Sequence, residues 1–109
     1  MRASKDFERA FRTGARRSAG FLTLALSEND HGTARLGLVV SRKVGNAIAR
    51  NRIKRALREG FRLNPGAFAE GRDYIFTARP GISQIETREI WGAMESLARR
   101  AGRALEGEN

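Results

Sequence analysis

Val40–Arg62 reads VSRKVGNAIARNRIKRALREGFR, and eight of its residues are basic (Arg42, Lys43, Arg50, Arg52, Lys54, Arg55, Arg58 and Arg62) against one acid, Glu59. Eight cations less one carboxylate leave +7, out of +9 for all 109 residues, so this segment holds nearly all the net charge. From Asn46 onward the pattern is helical. Gly45-Asn46 makes a start, with Asn46 as an N-cap whose side-chain oxygen takes an otherwise unpaired backbone N–H. At the helical angular step, Ala49, Ile53, Ala56, Leu57 and Phe61 gather on one side as a core-facing stripe. Arg50, Asn51, Lys54, Arg55, Arg58 and Arg62 gather opposite, and Arg52 falls on a flank away from both groups. Alanines are frequent and no β-branched run interrupts, so propensity agrees with periodicity.

A helix face with five cations repels itself. Like charges at Arg50/Lys54 and Lys54/Arg58 each destabilise by roughly a few tenths of a kcal/mol. A merely solvated face would interleave glutamates, and only Glu59 offsets this run. A polyanion-binding face accounts for the pattern better.

The string S-R-K-V-G-N-A-I-A-R-N-R-I-K-R-x-x-R-E, Ser41 to Glu59, resembles the signature of the bacterial ribonuclease P protein family, including its Arg-Asn-Arg segment. Ser4-Lys-Asp-Phe7-x-x-x-Phe11-x-x-Gly14 is similar to that family's first helix, and Asp73-Tyr-Ile-Phe-Thr-Ala-Arg79 to its last strand. The resemblance covers essentially the whole chain in the expected order.

Composition sets independent bounds. One domain, residues 1–109, is long enough for a modest core and too short for two. Forty per cent hydrophobic with 30% charged reads as globular, not disordered. An anionic membrane surface is a weaker partner than nucleic acid, because the helix offers only Ile53, Leu57 and Phe61 where an interfacial helix shows Trp and Phe. Without cysteine there is no disulfide, thiol nucleophile or zinc ribbon. No apolar run approaches a membrane span and Met1-Arg2 leads into polar sequence, so a cytoplasmic location is expected.

Outward from the basic segment, Ser4–Thr13 reads as a short helix, capped by Ser4 and stopped by Gly14, with Phe7, Ala10 and Phe11 along one side. Phe21–Ser27 alternates, with Leu22, Leu24 and Leu26 on one face and Phe21, Thr23, Ala25 and Ser27 on the other. A turn at Glu28–Gly32 leads to Arg35–Ser41, where Leu36, Leu38 and Val40 alternate, so the two strands are expected to pair as a hairpin. Gly37 leaves room for a close approach to the sheet. Leu63-Asn-Pro-Gly66 breaks the chain before a strand at Tyr74–Ala78. A final helix starts near Ser83-Gln-Ile-Glu86, a capping box, and carries Ile90, Met94, Leu97, Ala98, Ala101 and Leu105 as its stripe, with Trp91 packing beside it. Residues from Glu106 read as a frayed tail.

The order predicts an α+β chain, a two-layer α/β sandwich of three helices on one face of a small mixed sheet. The general rule makes the strand–helix–strand crossover right-handed; the resemblance implies a rare left-handed one.

No protein nuclease site is visible. His31 lies in a turn, Asp6, Asp30 and Asp73 are scattered, and Glu59 is flanked by arginines. Two function classes remain: the protein subunit of a ribonucleoprotein endonuclease, or a purely structural RNA binder such as a ribosomal protein. A helix-turn-helix is disfavoured because no short helix and turn precede the basic one, and an RRM because its strand motif is absent. The resemblance implies the first class: RNA-catalysed removal of the 5′ leader from precursor tRNA, one protein per catalytic RNA, with magnesium held mainly by RNA and substrate.

The resemblance also implies a division of the surface. Single-stranded leader would lie along the outer sheet face, the first helix and the inner basic face, with Phe7 and Phe11 at the groove and Lys54, Arg55 and Arg58 on its phosphates. Arg50-Asn51-Arg52, with Arg42 and Lys43, would meet the catalytic RNA, and Asn46 and Arg62 complete the RNA-binding set. From pattern alone Phe7 and Phe11 are core, and both roles are met if the rings form the groove floor. Where the family often has a groove aromatic on the first strand, this chain has Leu24 or Ala25, and Phe21 and Phe76 stand as substitutes. A basic arm common ahead of the first helix is reduced to Met1-Arg2-Ala3, so its contacts are expected to be missing.

Overall fold

In the computed structural model, which describes residues 4–107, the basic segment forms the helix its periodicity demands. This helix, α2, spans Ala47–Leu63, and the Ala49 amide donates to the Asn46 side chain at 2.9 Å, so Asn46 is its N-cap. A single 3₁₀ turn, Arg42–Val44, precedes it under a Ser41 cap. Ile53, Ala56, Leu57 and Gly60 are buried along its inner side.

Around it lie α1 (Ser4–Thr13), β1 (Ala15–Ser18), β2 (Leu22–Glu28), β3 (Arg35–Val39), β4 (Arg72–Ala78) and α3 (Thr87–Leu105). The strands form one mixed sheet in the order β1-β2-β4-β3. The expected β2–β3 hairpin is overturned: β4 inserts between them, antiparallel to β2 and parallel to β3. The reason is burial. Tyr74, Ile75 and Phe76 are all buried, so β4 is apolar on both faces and belongs inside the sheet, whereas most of β3 is half-buried and takes an edge. The hairpin partner of β2 is β1, reached through a turn where Gly20 sits at φ +79°. Ala-Arg-Arg-Ser has no apolar alternation, and so β1 escapes a pattern search.

α2 is the crossover between the parallel strands β3 and β4. With α3 it covers one face, where Leu22, Leu24, Leu26, Tyr74 and Phe76 meet Ile53 and Leu57 of α2 and Ile90, Met94 and Leu97 of α3. The Trp91 indole N–H donates to the Ala56 carbonyl at 2.8 Å. A Cβ at Gly60 would lie 2.6 Å from Trp91 Cδ1 and 2.7 Å from Met94 Sδ, so this glycine sets how closely the two helices pack. The placement of all helices on one face holds for α2 and α3 only. α1 lies on the opposite face, where Ala10 packs on Ala25 and Ile75, with Phe7, Phe11 and Val39 around them. Gly14 ends α1 against the Leu26 carbonyl, leaving no room for a side chain.

α3 starts at Thr87 without a side-chain cap, and Ser83 belongs to the 3₁₀ turn Ile82–Gln84, so the expected capping box is not formed. Glu106 is tied back to Arg72 at 2.8 Å rather than frayed. The Met1-Arg2-Ala3 segment and residues 108–109 lie outside the described residues, as does the Ser4 side chain read as a cap. No described helix is long and apolar enough to cross a membrane.

Candidate nucleic-acid interface

The second sheet face and α1 build one surface. Phe7 rests over Gly37: a Cβ there would stand 2.9 Å from Phe7 Cζ and 3.2 Å from Ile75 Cγ1. The close approach that Gly37 permits is therefore made by the helix itself. Phe7 and Phe11 are half-buried and meet edge-on, their centroids 6.4 Å apart. Each ring packs on the sheet without being fully buried, so packing on the core leaves both at the surface. Arg16, exposed on β1, places its guanidinium carbon 5.6 Å from the Phe11 centroid, in cation–π range.

A charged network pins α1 at its other end. Arg35 on β3 grips Asp73 with both prongs, Nε to Oδ1 at 2.7 Å and Nη2 to Oδ2 at 2.8 Å, and reaches Asp6 on α1 at 3.3 Å. Asn29 donates to Asp73 Oδ1 at 2.7 Å. Burial pushes the Asp73 carboxyl up, but the Arg35 and Asn29 hydrogen bonds and the Arg35 charge outweigh it and hold the group below its ordinary value.

α2 presents the cations. Arg42, Lys43, Asn46, Asn51, Arg52, Arg55, Arg58 and Arg62 are exposed, while Arg50 and Lys54 are half-buried. Among the described residues none of these cations joins an ion pair; the pairs formed use Arg9, Arg12, Arg35 and Arg72. Arg52 donates to the Ser83 carbonyl at 2.6 Å, which fixes its flank against the turn after β4. Arg50 and Lys54, read from periodicity as opposite Phe61, instead share with it the half-buried flank away from Arg52, and Phe61 lines a groove with Ala34 just before β3. The buried Arg50 Nε has no hydrogen-bond partner among the described residues, a donor left for a ligand or solvent.

Two sequence-based assignments are corrected. Phe76 is fully buried in the core beneath α2 and α3, because the register Leu24↔Phe76 turns it away from α1. Phe21 precedes β2 instead of starting it, so alternation does not apply, and its half-buried ring packs on the same core. Of Leu24 and Ala25, Ala25 is the groove-side residue, so the first long strand offers no aromatic there. α1 and α2 occupy opposite faces of the sheet. Arg16 and the Asp6–Arg35–Asp73 network escape sequence reasoning. Their partners are far apart in the chain, and an Arg-Arg pair in a short strand looks like a loop.

The residues do not fit a protein-held magnesium ion. Asp6 and Asp73 converge on a guanidinium that already satisfies them, and no three carboxylate or imidazole side chains gather among the described residues.

Comparison with known proteins covers nearly the whole chain. A family model described as Ribonuclease P matches residues 1–102. The ribonuclease P protein component of Clostridium novyi (strain NT) is 36% identical over 104 residues, covering 94% of this chain and 92% of its own. That of Syntrophobacter fumaroxidans is 41% identical over 91 residues, covering 83% and 76%. The Staphylococcus aureus RNase P protein superposes with a TM-score of 0.83 at 30% identity over 93% of each chain. The RNase P protein from Thermotoga maritima gives 0.80 at 30% identity, over 91% of this chain and 94% of that one.

Proposed function

The chain belongs to the ribonuclease P protein family, and from that membership we propose that it binds the catalytic RNA and the single-stranded 5′ leader of precursor tRNA, assisting removal of the leader. The observation that carries the RNA-binding part is the cation row of α2, which among the described residues has no carboxylate partner. Phosphates are the counter-charge such a row lacks. The exposed Asn51, Arg55, Arg58 and Arg62, with Arg42 and Lys43, meet the catalytic RNA, which moves Arg55 and Arg58 off the leader phosphates where the resemblance puts them, because they stand on the outer side of α2. The leader lies on the second sheet face beside Phe7, Phe11 and Arg16, and the half-buried Lys54 reaches it around the β3 edge together with Arg50, which the resemblance groups with Asn51 and Arg52 on the catalytic RNA. Phosphodiester hydrolysis belongs to the RNA, with magnesium held by RNA and substrate. One protein serves one RNA.

The test is a titration of holoenzyme, assembled with the RNA that copurifies, against precursor and mature tRNA at several salt concentrations. Phe11→Ala and Lys54→Ala are expected to weaken the precursor only, because only it carries the leader. Arg55→Ala and Arg58→Ala are expected to weaken assembly with the catalytic RNA, so both substrates suffer alike. Each lost phosphate contact lowers the log–log salt slope by about 0.7 to 0.9. Equal losses for the two substrates in all four variants would remove the leader from this surface.

A further inference from the structure

The sheet row next to α1 carries hydroxyls. Backbone register sets Ser18 on β1 opposite Thr23 on β2, and Thr23 opposite Thr77 on β4, so the three stand side by side across neighbouring strands. Alternation turns Thr23 and Thr77 to the same face as Ala25 and Ile75, the face on which α1 lies. α1 covers the adjoining row, with Phe7 over Gly37, Ala10 on Ile75 and Ala25, and Phe11 under Arg16. The hydroxyl row therefore runs alongside the helix, as the floor of a groove whose wall is edged by the two rings.

The three hydroxyls differ in access. Thr23 is 9% exposed, and its Oγ1 lies 3.3 Å from Ser18 Oγ. Ser18 is exposed and Thr77 half-buried, and no side-chain hydrogen bond engages Thr77 among the described residues. Cross-strand packing accounts for the Thr23–Ser18 pair. It does not require a hydroxyl at Thr77, where valine would suit the strand as well. No charge lies in the row, so it offers neutral hydrogen bonding and not phosphate attraction.

Given that the leader occupies this groove, as proposed above, we infer that Ser18 and Thr77 hydrogen-bond its ribose 2′-hydroxyls, so that the protein selects ribose over deoxyribose without reading bases. A 2′-hydroxyl both donates and accepts, as does each side-chain hydroxyl, with capacity beyond the Ser18–Thr23 bond. β1 and β4 are two strand spacings apart, about 10 Å, so the two contacts serve separate sugars. Thr23, between them, is a positioning residue that orients Ser18.

The experiment compares three ligands of the holoenzyme: precursor tRNA with a ribose leader, the same precursor with a deoxyribose leader, and mature tRNA. The ribose leader is expected to bind more tightly than the deoxyribose one, by about fivefold per hydroxyl contact. Thr77→Val should shrink that ratio, Ser18→Ala should shrink it further when combined, and Thr77→Ser should restore it. Melting curves of each variant confirm folding. If both leaders strengthen binding equally over mature tRNA, the sugar contact is overturned while the leader groove stands. If the ribose preference survives in the double variant, the contact lies elsewhere and the inference fails. If neither leader strengthens binding, the leader groove fails and takes the inference with it.

Discussion

Asp73 is fully buried yet charged, and its neighbours explain why. Arg35 and Asn29 supply three hydrogen bonds to its two oxygens. Its folded proton affinity lies below the unfolded one, so its stabilisation is complete above the ordinary carboxylate range and is lost as pH falls through the lowered folded value. Asp73→Asn is expected to cost about 2–3 kcal/mol, below the roughly 3–5 kcal/mol of breaking a fully buried pair, because Arg35 keeps a fifth of its side chain exposed and retains Asp6. Urea midpoints between about pH 7 and pH 2 check this, and the variant should lose part of the acid limb. Phe11 makes the contrasting case. A fully buried phenylalanine costs about 3–5 kcal/mol on truncation, so this half-buried ring should cost about 1–2 kcal/mol in Phe11→Ala. Loss approaching the full core value, with no selective effect on leader-bearing substrates, would return it to a purely structural role.

At the scale of elements, the α2–α3 contact is decided by a helix glycine. Gly60→Ala gains about 1 kcal/mol of helix propensity, but its Cβ meets Trp91 and Met94 at 2.6–2.7 Å, an overpacking cost of about 1–3 kcal/mol. The net expectation is destabilisation by about 1 kcal/mol. Gly92→Ala, in α3 with nothing within 4 Å of the new Cβ, should instead stabilise by about 0.5–1 kcal/mol. Thermal melts of the pair separate packing from propensity, and equal shifts of one sign would refute the steric account. The same contact holds α2 so that its cations stay outward. The Trp91 bond to the Ala56 carbonyl fixes the inner face, and Arg52 is tied to Ser83 on one flank.

Across the whole molecule, the excess of +9 is carried mainly by α2, while the carboxylates of α1 and β4 close on arginines. Such a protein adds counter-charge to an RNA assembly. Its stimulation of cleavage should be greatest at low magnesium, where the RNA lacks other counterions, and should fade as magnesium rises. Cleavage rates of holoenzyme and RNA alone over a magnesium series give the comparison; a constant ratio would argue against charge compensation. Magnesium-dependent cleavage by RNA-free protein would overturn the assignment of chemistry to the RNA.

The sequence by itself determined α2, its Asn46 cap, its basic face and the stripes of α1 and α3. Each is written by neighbours within a few turns of the chain, where periodicity and capping act. It also announced the strands carrying Leu22–Leu26, Leu36–Leu38 and Tyr74–Phe76, since alternation is local. Only the tertiary structure decided which strands pair. β4 lies between β2 and β3 because it is buried on both faces, as β2 is, while β3 is mostly half-buried, a comparison among distant segments that no local pattern makes. That choice put Phe76 in the core, turned Ala25 toward α1 and lined Ser18, Thr23 and Thr77 into one row. It likewise joined Asp6, Arg35 and Asp73, read along the chain as scattered charges. Hydrogen-bond register and burial act between residues far apart in sequence, so the groove is legible only once the sheet has formed.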